Sequence, residues 1–313
     1  MKSNRLFIVA PVYFDFESFI ILRSEIVKQL KNFSINLEPR FVAVDDSAGE
    51  DCAVNELEKL EDVIVLKPPF NLGHQRAIVF GIRSCFNLLQ DTDFLVTLDS
   101  DGEDRPEDLP NMLLLMQKKQ EPLVLARRTE RQESLSFKIC YLFYKFFFKT
   151  LTGEIIRSGN YAVHNCKSLK QIIYHPYFDL CYSSSLVALK IHKSHYDCPR
   201  GKRYKGKSKM NLNSLVMHGI RMLMPFMDKI ATRALILFSV GFALSLIFIG
   251  VIVFIRLGTD NAIPGWASYL LAVFSLSSFV ALGNFAILFT LFTQGQGKSL
   301  RSLETYNPQN IRP

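Results

Sequence analysis

The chain has 313 residues, 49% of them hydrophobic, with 26 phenylalanines and a formal net charge of +8. That content is too apolar for a disordered protein and rich for a purely soluble one, and the length suffices for one large domain or two small ones. Six scattered cysteines, with no Cys-x-x-Cys and no Cys/His metal spacing, exclude a zinc-binding framework and read as reduced, buried thiols.

In chain order, Arg5 to Val12 is a β-rich run ending at Pro11-Val12, and Phe16 to Leu30 repeats apolar residues at helical spacing. Arg40 to Val44 predicts a second strand ending on Asp45-Asp46. Cys52 to Leu60 reads as helical and Val63 to Leu66 as a third strand. A helix is expected over Leu72 to Leu89, opening at Asn71-Leu72-Gly73. Phe94 to Leu98 is a fourth strand ending on Asp99, Pro106 to Gln120 a Pro-initiated helix, and Leu123 to Ala126 a fifth strand. Strands separated by helices of this length predict a parallel α/β sheet covered on both faces. Ligands of such sheets bind beyond the carboxyl ends of the strands, where Pro11, Asp45, Asp46, Asp99 and Asp101 fall.

The alternation stops after residue 126. Leu135 to Leu151 is strongly aromatic, and Lys138, Lys145 and Lys149 share one helical face. A core helix with one wet stripe and a helix lying in the membrane interface both fit; two spans nearby favour the interface. Leu212 to Met227 is a second amphipathic candidate. Ala234 to Ile255 and Trp266 to Phe292 are uncharged stretches of 22 and 27 residues. Each spans roughly 30 Å or more as a helix, the thickness of a bilayer core. They lie toward the C-terminus and read as spans rather than a signal sequence. Lys229 and Arg233 precede the first, Lys298 and Arg301 follow the second, and Leu257 to Gly265 between them carries no Lys or Arg. The positive-inside rule then puts both termini in the cytoplasm and a short hairpin outside a plasma membrane. The expected organisation is a cytoplasmic domain over 1–210, a juxtamembrane helix over 211–233, spans over 234–255 and 266–292, and a cytoplasmic tail over 293–313.

The strongest chemical signal is Asp99-Ser100-Asp101-Gly102-Glu103-Asp104. Alternate acidic residues beyond a strand end can converge oxygen ligands on a hard divalent cation, which implies a phosphorylated substrate; an acidic turn capping the next helix is the plainer reading. Asp45-Asp46 suits a ribose or base edge, or a helix cap. The glycine of Asn71-Leu72-Gly73-His74 lets a ligand approach the backbone. From Lys190 to Lys209 there are eight Lys or Arg and one acid, Asp197. With few aromatics interleaved and the chain anchored, a nucleic-acid partner is not expected. Anionic head groups or a lipid phosphate suit the cluster, with Arg200 and Arg203 the specific contacts.

Taken in order, Pro11-Val12-Tyr13, Asp45-Asp46, Asn71-Leu72-Gly73-His74, Asp99-x-Asp101 and Arg200-x-x-Arg203-x-x-Gly-x-Ser-Lys resemble the motifs of family 2 glycosyltransferases. The subgroup resembled acts on polyprenyl phosphates. The resemblance covers essentially the whole chain, including the two C-terminal stretches. It implies a GT-A, Rossmann-like fold, a UDP- or GDP-sugar donor, Mg²⁺ or Mn²⁺, inversion at the anomeric carbon and a polyprenyl phosphate acceptor in membrane lipid. Self-association is left open.

Carried over, Pro11, Tyr13 and Asp15 line the nucleotide pocket, and Asp45 and Asp46 bind base or ribose. Asp99 and Asp101 bind metal and diphosphate, with Glu103 a further metal ligand and Asp104 a catalytic acidic position. Arg128 and Arg131 lie near the phosphates, and Arg200, Arg203, Ser208 and Lys209 hold the acceptor phosphate. Three departures stand out: Ser47-Ala48 for Gly-Ser, Phe14-Asp15 for Asn-Glu, and Gly159-Asn160-Tyr161 for Gly-Asp-Phe. Transfer to a hydroxyl of a glycolipid, with Asp104 as base, is the alternative activity. A non-enzymatic module binding anionic lipid is a third reading, opposed by the acidic strand ends.

Overall fold

The computed structural model describes residues 4–129, 135–155, 158–205, 212–258 and 265–304. They form two compact units, one running to Pro225 and a second that takes in Thr150–Gly153 and begins again at Phe226.

The first unit is built on strands β1 (Arg5–Val12), β2 (Glu38–Asp45), β3 (Val63–Leu66), β4 (Phe94–Thr97), β5 (Leu123–Arg128), β6 (Ser158–Asn165) and β7 (Ser194–Cys198). Its helices are α1 (Phe16–Asn32), α2 (His74–Ser84), α3 (Leu109–Lys119), α4 (Leu135–Thr152, whose last residues belong to the second unit), α5 (Cys166–Ile172), α6 (Tyr177–Leu180), α7 (Tyr182–Ala188) and α8 (Leu212–Leu223). The sheet order is β3-β2-β1-β4-β6-β5-β7. β1, β2, β3 and β4 pair in parallel, as do β5 and β7, but β6 runs antiparallel to both its neighbours. The all-parallel expectation is therefore corrected to a mixed sheet.

Alternation along β1 explains the two layers. Leu6, Ile8, Ala10 and Val12 face one way and pack with Phe19, Leu22 and Ile26 of α1 and Met112 of α3. Phe7 and Val9 face the other way and pack with Ala77, Ile78 and Ile82 of α2 and Phe178, Tyr182 and Leu186 behind β6. Several expected helices are shorter or tighter. Cys52–Lys59 and Pro106–Asp108 are 3₁₀ turns, and α2 ends at Ser84 before a further 3₁₀ turn, Phe86–Leu88.

In the second unit, α9 (Met227–Gly258) and α10 (Trp266–Glu304) have 32 and 39 residues. At about 1.5 Å per residue they extend roughly 48 and 58 Å, more than a bilayer core. Phe248 stacks on Phe274 at 4.9 Å between them. Both are long and apolar enough to cross a membrane. Each runs past its expected span: α9 starts seven residues before Ala234, and α10 continues beyond Phe292 to Glu304.

Candidate active site

The carboxyl ends of β1, β2 and β4 meet at one edge of the sheet. At the end of β1, Pro11 is buried within the strand, while Tyr13 and Phe14 are exposed and packed edge to face at 5.0 Å. Phe14 has φ of +52°, an uncommon backbone state for an aromatic residue. At the end of β2, Asp45 accepts from the backbone N–H of Ser47 at 3.0 Å. Asp46 accepts from the N–H groups of Leu72 and Gly73 at 2.8 and 3.1 Å, and its carbonyl takes the Asn71 amide at 2.7 Å. The Asn71–His74 loop is thus held onto the second carboxylate of the pair. Burial raises the Asp46 pKa, against those hydrogen bonds.

Beyond β4, Asp99 is the centre. One oxygen takes the Asn160 amide at 3.0 Å and lies 2.9 Å from His74 Nε2, and the other lies 3.8 Å from Arg128. Burial would raise its pKa, but His74, then Arg128, outweigh it and hold the carboxyl well below the usual carboxylate range. Asp101 behaves oppositely: burial, then the Asp99 charge, push it up to about 7. Asp104 spends one oxygen on Arg128 at 2.9 Å and the other on the Asp99 N–H at 3.0 Å. Its pKa is raised by burial and by Asp99, against Arg128.

The basic loop does not stand apart from this acidic loop, as its distant sequence position suggested. It lies on it. Tyr204 and Gly201 donate their N–H groups to the carbonyls of Asp101 and Glu103 at 2.8 and 2.9 Å. Arg203 reaches Asp101 at 2.7 Å and Glu103 at 3.0 Å, and Arg200 reaches Glu103 at 3.1 Å. Gly102 has φ of +89°, and a Cβ there would meet the Tyr204 ring at 2.8 Å, so both its backbone and its missing side chain are needed. Three residues expected in other roles are drawn into this pairing. Arg200 and Arg203 are engaged by carboxylates rather than presented to an acceptor, and Glu103 faces those arginines. Arg131, Ser208 and Lys209 lie outside the described residues.

Among the described residues no three His, Cys, Asp or Glu side chains converge as a metal cage, so Asp99, Asp101 and Glu103 do not form a ready triad. The donor chemistry still fits a hard cation. Burial, then the neighbouring Asp99 charge, favour the protonated form of Asp101, and a divalent ion would keep it ionised. Ions of the Mg²⁺ type bind one or two carboxylates and complete their shell with water and substrate phosphates.

Beneath Asp99 lies a buried polar network that the sequence did not announce. Gln75 donates to Asn160 Oδ1 at 2.5 Å, while its own oxygen accepts from the Ser183 N–H and hydroxyl at 3.0 and 3.1 Å. That acceptance fixes which way the Gln75 amide points, and hence which way Asn160 points. The Asn160 carbonyl takes the Thr97 hydroxyl at 2.6 Å; Thr97 meets Tyr182 Oη at 2.8 Å, and Tyr182 meets His164 Nε2 at 2.6 Å.

The family model described as "Glycosyl transferase family 2" matches residues 11–178, a segment that runs from the end of β1 through β6 and holds every carboxylate of the site described above. The chain belongs to glycosyl transferase family 2. It is an enzyme of that family, with a GT-A domain built on a mixed sheet and two apolar helices added. The transferase is 30% identical over 137 residues to the undecaprenyl-phosphate 4-deoxy-4-formamido-L-arabinose transferase of Proteus mirabilis (strain HI4320). That match takes in 42% of this chain and about two-fifths, 40%, of the relative. Among solved structures it is similar to mannosyl-3-phosphoglycerate synthase from Rubrobacter xylanophilus, with 13% identity, a TM-score of 0.48, and 72% of this chain and 74% of that one covered. It is also similar to glucosyl-3-phosphoglycerate synthase from Mycobacterium tuberculosis in complex with Mn²⁺, UDP and glucosyl-3-phosphoglycerate, with 10% identity, a TM-score of 0.45, and 72% and 80% covered.

Proposed function

We propose that this family 2 transferase moves a sugar, with inversion, from a nucleoside diphosphate donor to a polyprenyl phosphate at the cytoplasmic face of a membrane. The observation that carries the proposal is the gathering of acidic side chains at the β4 end, Asp99 against His74 and Arg128 and Asp101 against Arg203, in a chain that also carries two apolar helices long enough to cross a membrane. Asp99 and Asp101 would hold Mg²⁺ or Mn²⁺, which when bound offsets charge on the departing diphosphate. Arg203, tied to Asp101, steadies that carboxylate and lies on the diphosphate side. The aromatic pair Tyr13–Phe14, with Asp15, Asp45 and Asp46, lines the nucleotide side.

A phosphate acceptor is already anionic and needs no strong base. That suits Asp104, whose carboxylate is paired with Arg128 and the Asp99 N–H, contacts that favour its anionic form and weaken it as a base. In the membrane arrangement we propose, α9 and α10 cross as a hairpin with both ends cytoplasmic. α4 and α8 lie in the interface: Leu142, Phe143, Phe146 and Phe147 of α4 and Val216, Met217 and Ile220 of α8 are all exposed.

Incubating the full-length protein with a panel of nucleotide sugars, undecaprenyl phosphate and MgCl₂ or MnCl₂, then reading the lipid fraction by mass spectrometry, tests this. A mass increment of one sugar on the lipid phosphate is expected. Transfer confined to hydroxyl-bearing glycolipids would refute it.

A further inference from the structure

We infer that Arg221, with His218 beside it, seats the phosphate of the acceptor. The inference rests on the reading that the acceptor is a lipid-linked phosphomonoester, and it moves the phosphate site from the basic loop to α8.

The rotation of α8 is fixed by two contacts. Met222 is buried, its sulfur 3.4 Å from Cys181 Sγ and 3.2 Å from the Ser183 hydroxyl. One turn earlier, the carbonyl of Gly219 accepts the Tyr144 hydroxyl of α4 at 3.1 Å. With that face inward, Val216, Met217 and Ile220 point out and are exposed. His218 and Arg221, three residues apart, occupy the edge between these faces, as helical spacing requires. That edge borders the catalytic centre. A Cβ on Gly73 would sit 3.5 Å from Arg221 Nη1, so the guanidinium lies against the Asn71–His74 loop. His218 is within electrostatic reach of His74, Asp99 and Arg221.

Charge pairing separates Arg221 from the other arginines of the site. Arg128 is held by Asp104 and Asp99, Arg203 by Asp101 and Glu103, and Arg200 by Glu103. Arg221 is exposed and has no hydrogen-bond or ion-pair partner among the described residues. A guanidinium presents a planar fork that matches two phosphate oxygens. Here the fork borders an apolar helix face, which a prenyl chain can cover, and the Asn71–His74 loop, whose His74 meets Asp99. A lipid phosphate cannot rise far from the interface, because each CH₂ withdrawn into water costs about 0.8 kcal/mol. A residue on the edge of an interfacial helix meets that limit, whereas the basic loop faces the acidic loop.

The test uses full-length protein in nanodiscs of zwitterionic lipid, with undecaprenyl phosphate and undecaprenol as separate probes and inorganic phosphate as competitor. Arg221→Ala should weaken binding of undecaprenyl phosphate, and raise its apparent KM, about ten- to a hundredfold, the range for one charge-assisted contact. Undecaprenol binding and donor KM should stay within about twofold of the original, and Arg221→Lys should recover part of the loss. Alanine is the best helix former, so α8 is retained. Unchanged binding in Arg221→Ala overturns the inference, as does an equal loss for undecaprenol, which would mean packing rather than phosphate. Arg221-dependent binding without sugar transfer would leave the seat standing and refute the proposed activity. Transfer to undecaprenyl phosphate that ignores Arg221→Ala would do the reverse. Arg221-dependent binding in which inorganic phosphate competes as well as the lipid would support a phosphate seat and refute its lipid source.

Discussion

His164 offers a quantitative check on the network below the catalytic carboxylates. It lies on β6, four residues from Asn160 and on the same face, fully enclosed and bonded to Tyr182. Burial pushes its imidazole down to about 3, whereas an unfolded histidine titrates near 6.5. Between those values the unfolded chain binds a proton that the native protein refuses. Stability must therefore fall as pH drops through about 6.5, with a slope of about 1.4 kcal/mol per pH unit; from pH 7 to 5 the loss integrates to about 2 kcal/mol. Asp101 acts in the opposite sense. Its folded pKa is raised to about 7, so the native state binds the extra proton and gains stability as pH falls. A bare pH scan would mix the two. Comparison with His164→Gln separates them, because glutamine still offers Tyr182 a partner and cannot charge, and the Asp101 contribution is common to both proteins. At about 2–4 °C per kcal/mol for a domain of this size, the same acid step should lower the Tm of the original protein by about 4–8 °C more than that of the variant. Circular dichroism melts of the full-length protein at pH 7 and 5 measure it. Equal shifts in the two proteins would show that His164 is not held neutral and that the enclosed network is wrongly described.

Three further outcomes follow from the site. Asp101→Asn should abolish turnover and remove the dependence of donor binding on MgCl₂ or MnCl₂ in calorimetry, with Tm unchanged or raised because a crowded carboxyl is removed; retained activity would sink its role. Gln75→Met deletes the amide that orients Asn160, and should cut kcat about ten- to a hundredfold, as for a lost bond to a charged group. In an Asn160→Ala background the same change should cost less than about threefold, because residues acting through one network are not additive; an undiminished effect there would mean that Gln75 acts elsewhere. In a background lacking the exposed Cys52 thiol, a cysteine at Thr259 should react with an impermeant reagent from outside the cell and one at Asn307 should not. The reverse labelling would overturn the topology.

The first half of the fold was legible because its strands are nearly pure apolar runs. RLFIVAPV is buried along almost its entire length, and its carboxyl end could be read from the polar residues that follow. β6 and β7 escaped notice for a physical reason. SGNYAVHN carries Asn160 and His164 on one face, buried by hydrogen bonding rather than by apolar packing, and SHYDC is an edge strand with exposed polar positions. Neither gives the hydrophobic signal on which strand recognition depends. The antiparallel insertion of β6 between β4 and β5 followed them out of view. The long helix expected from Leu72 likewise breaks near Cys85, where neither glycine nor proline marks the end.

The site was legible wherever a residue's role is set by its place at a strand end, and illegible wherever it is set by a partner distant in sequence. Asp45, Asp46, Asp99 and Asp101 are of the first kind. Arg203 is of the second: its sequence neighbours are basic, so it reads as part of a patch for anions, yet the fold sets it against carboxylates about a hundred residues earlier. Two charged loops of opposite sign in one chain are each other's nearest source of neutralisation. Either loop alone predicts an external ligand, and only the three-dimensional pairing shows which cations are already committed. By the same reasoning His218 and Arg221 passed unnoticed inside an apolar helix, where two polar residues look like a wet stripe. The place of the Arg221 guanidinium beside Gly73, with the other arginines of the site already paired, is what turns that stripe into a candidate for binding an anion.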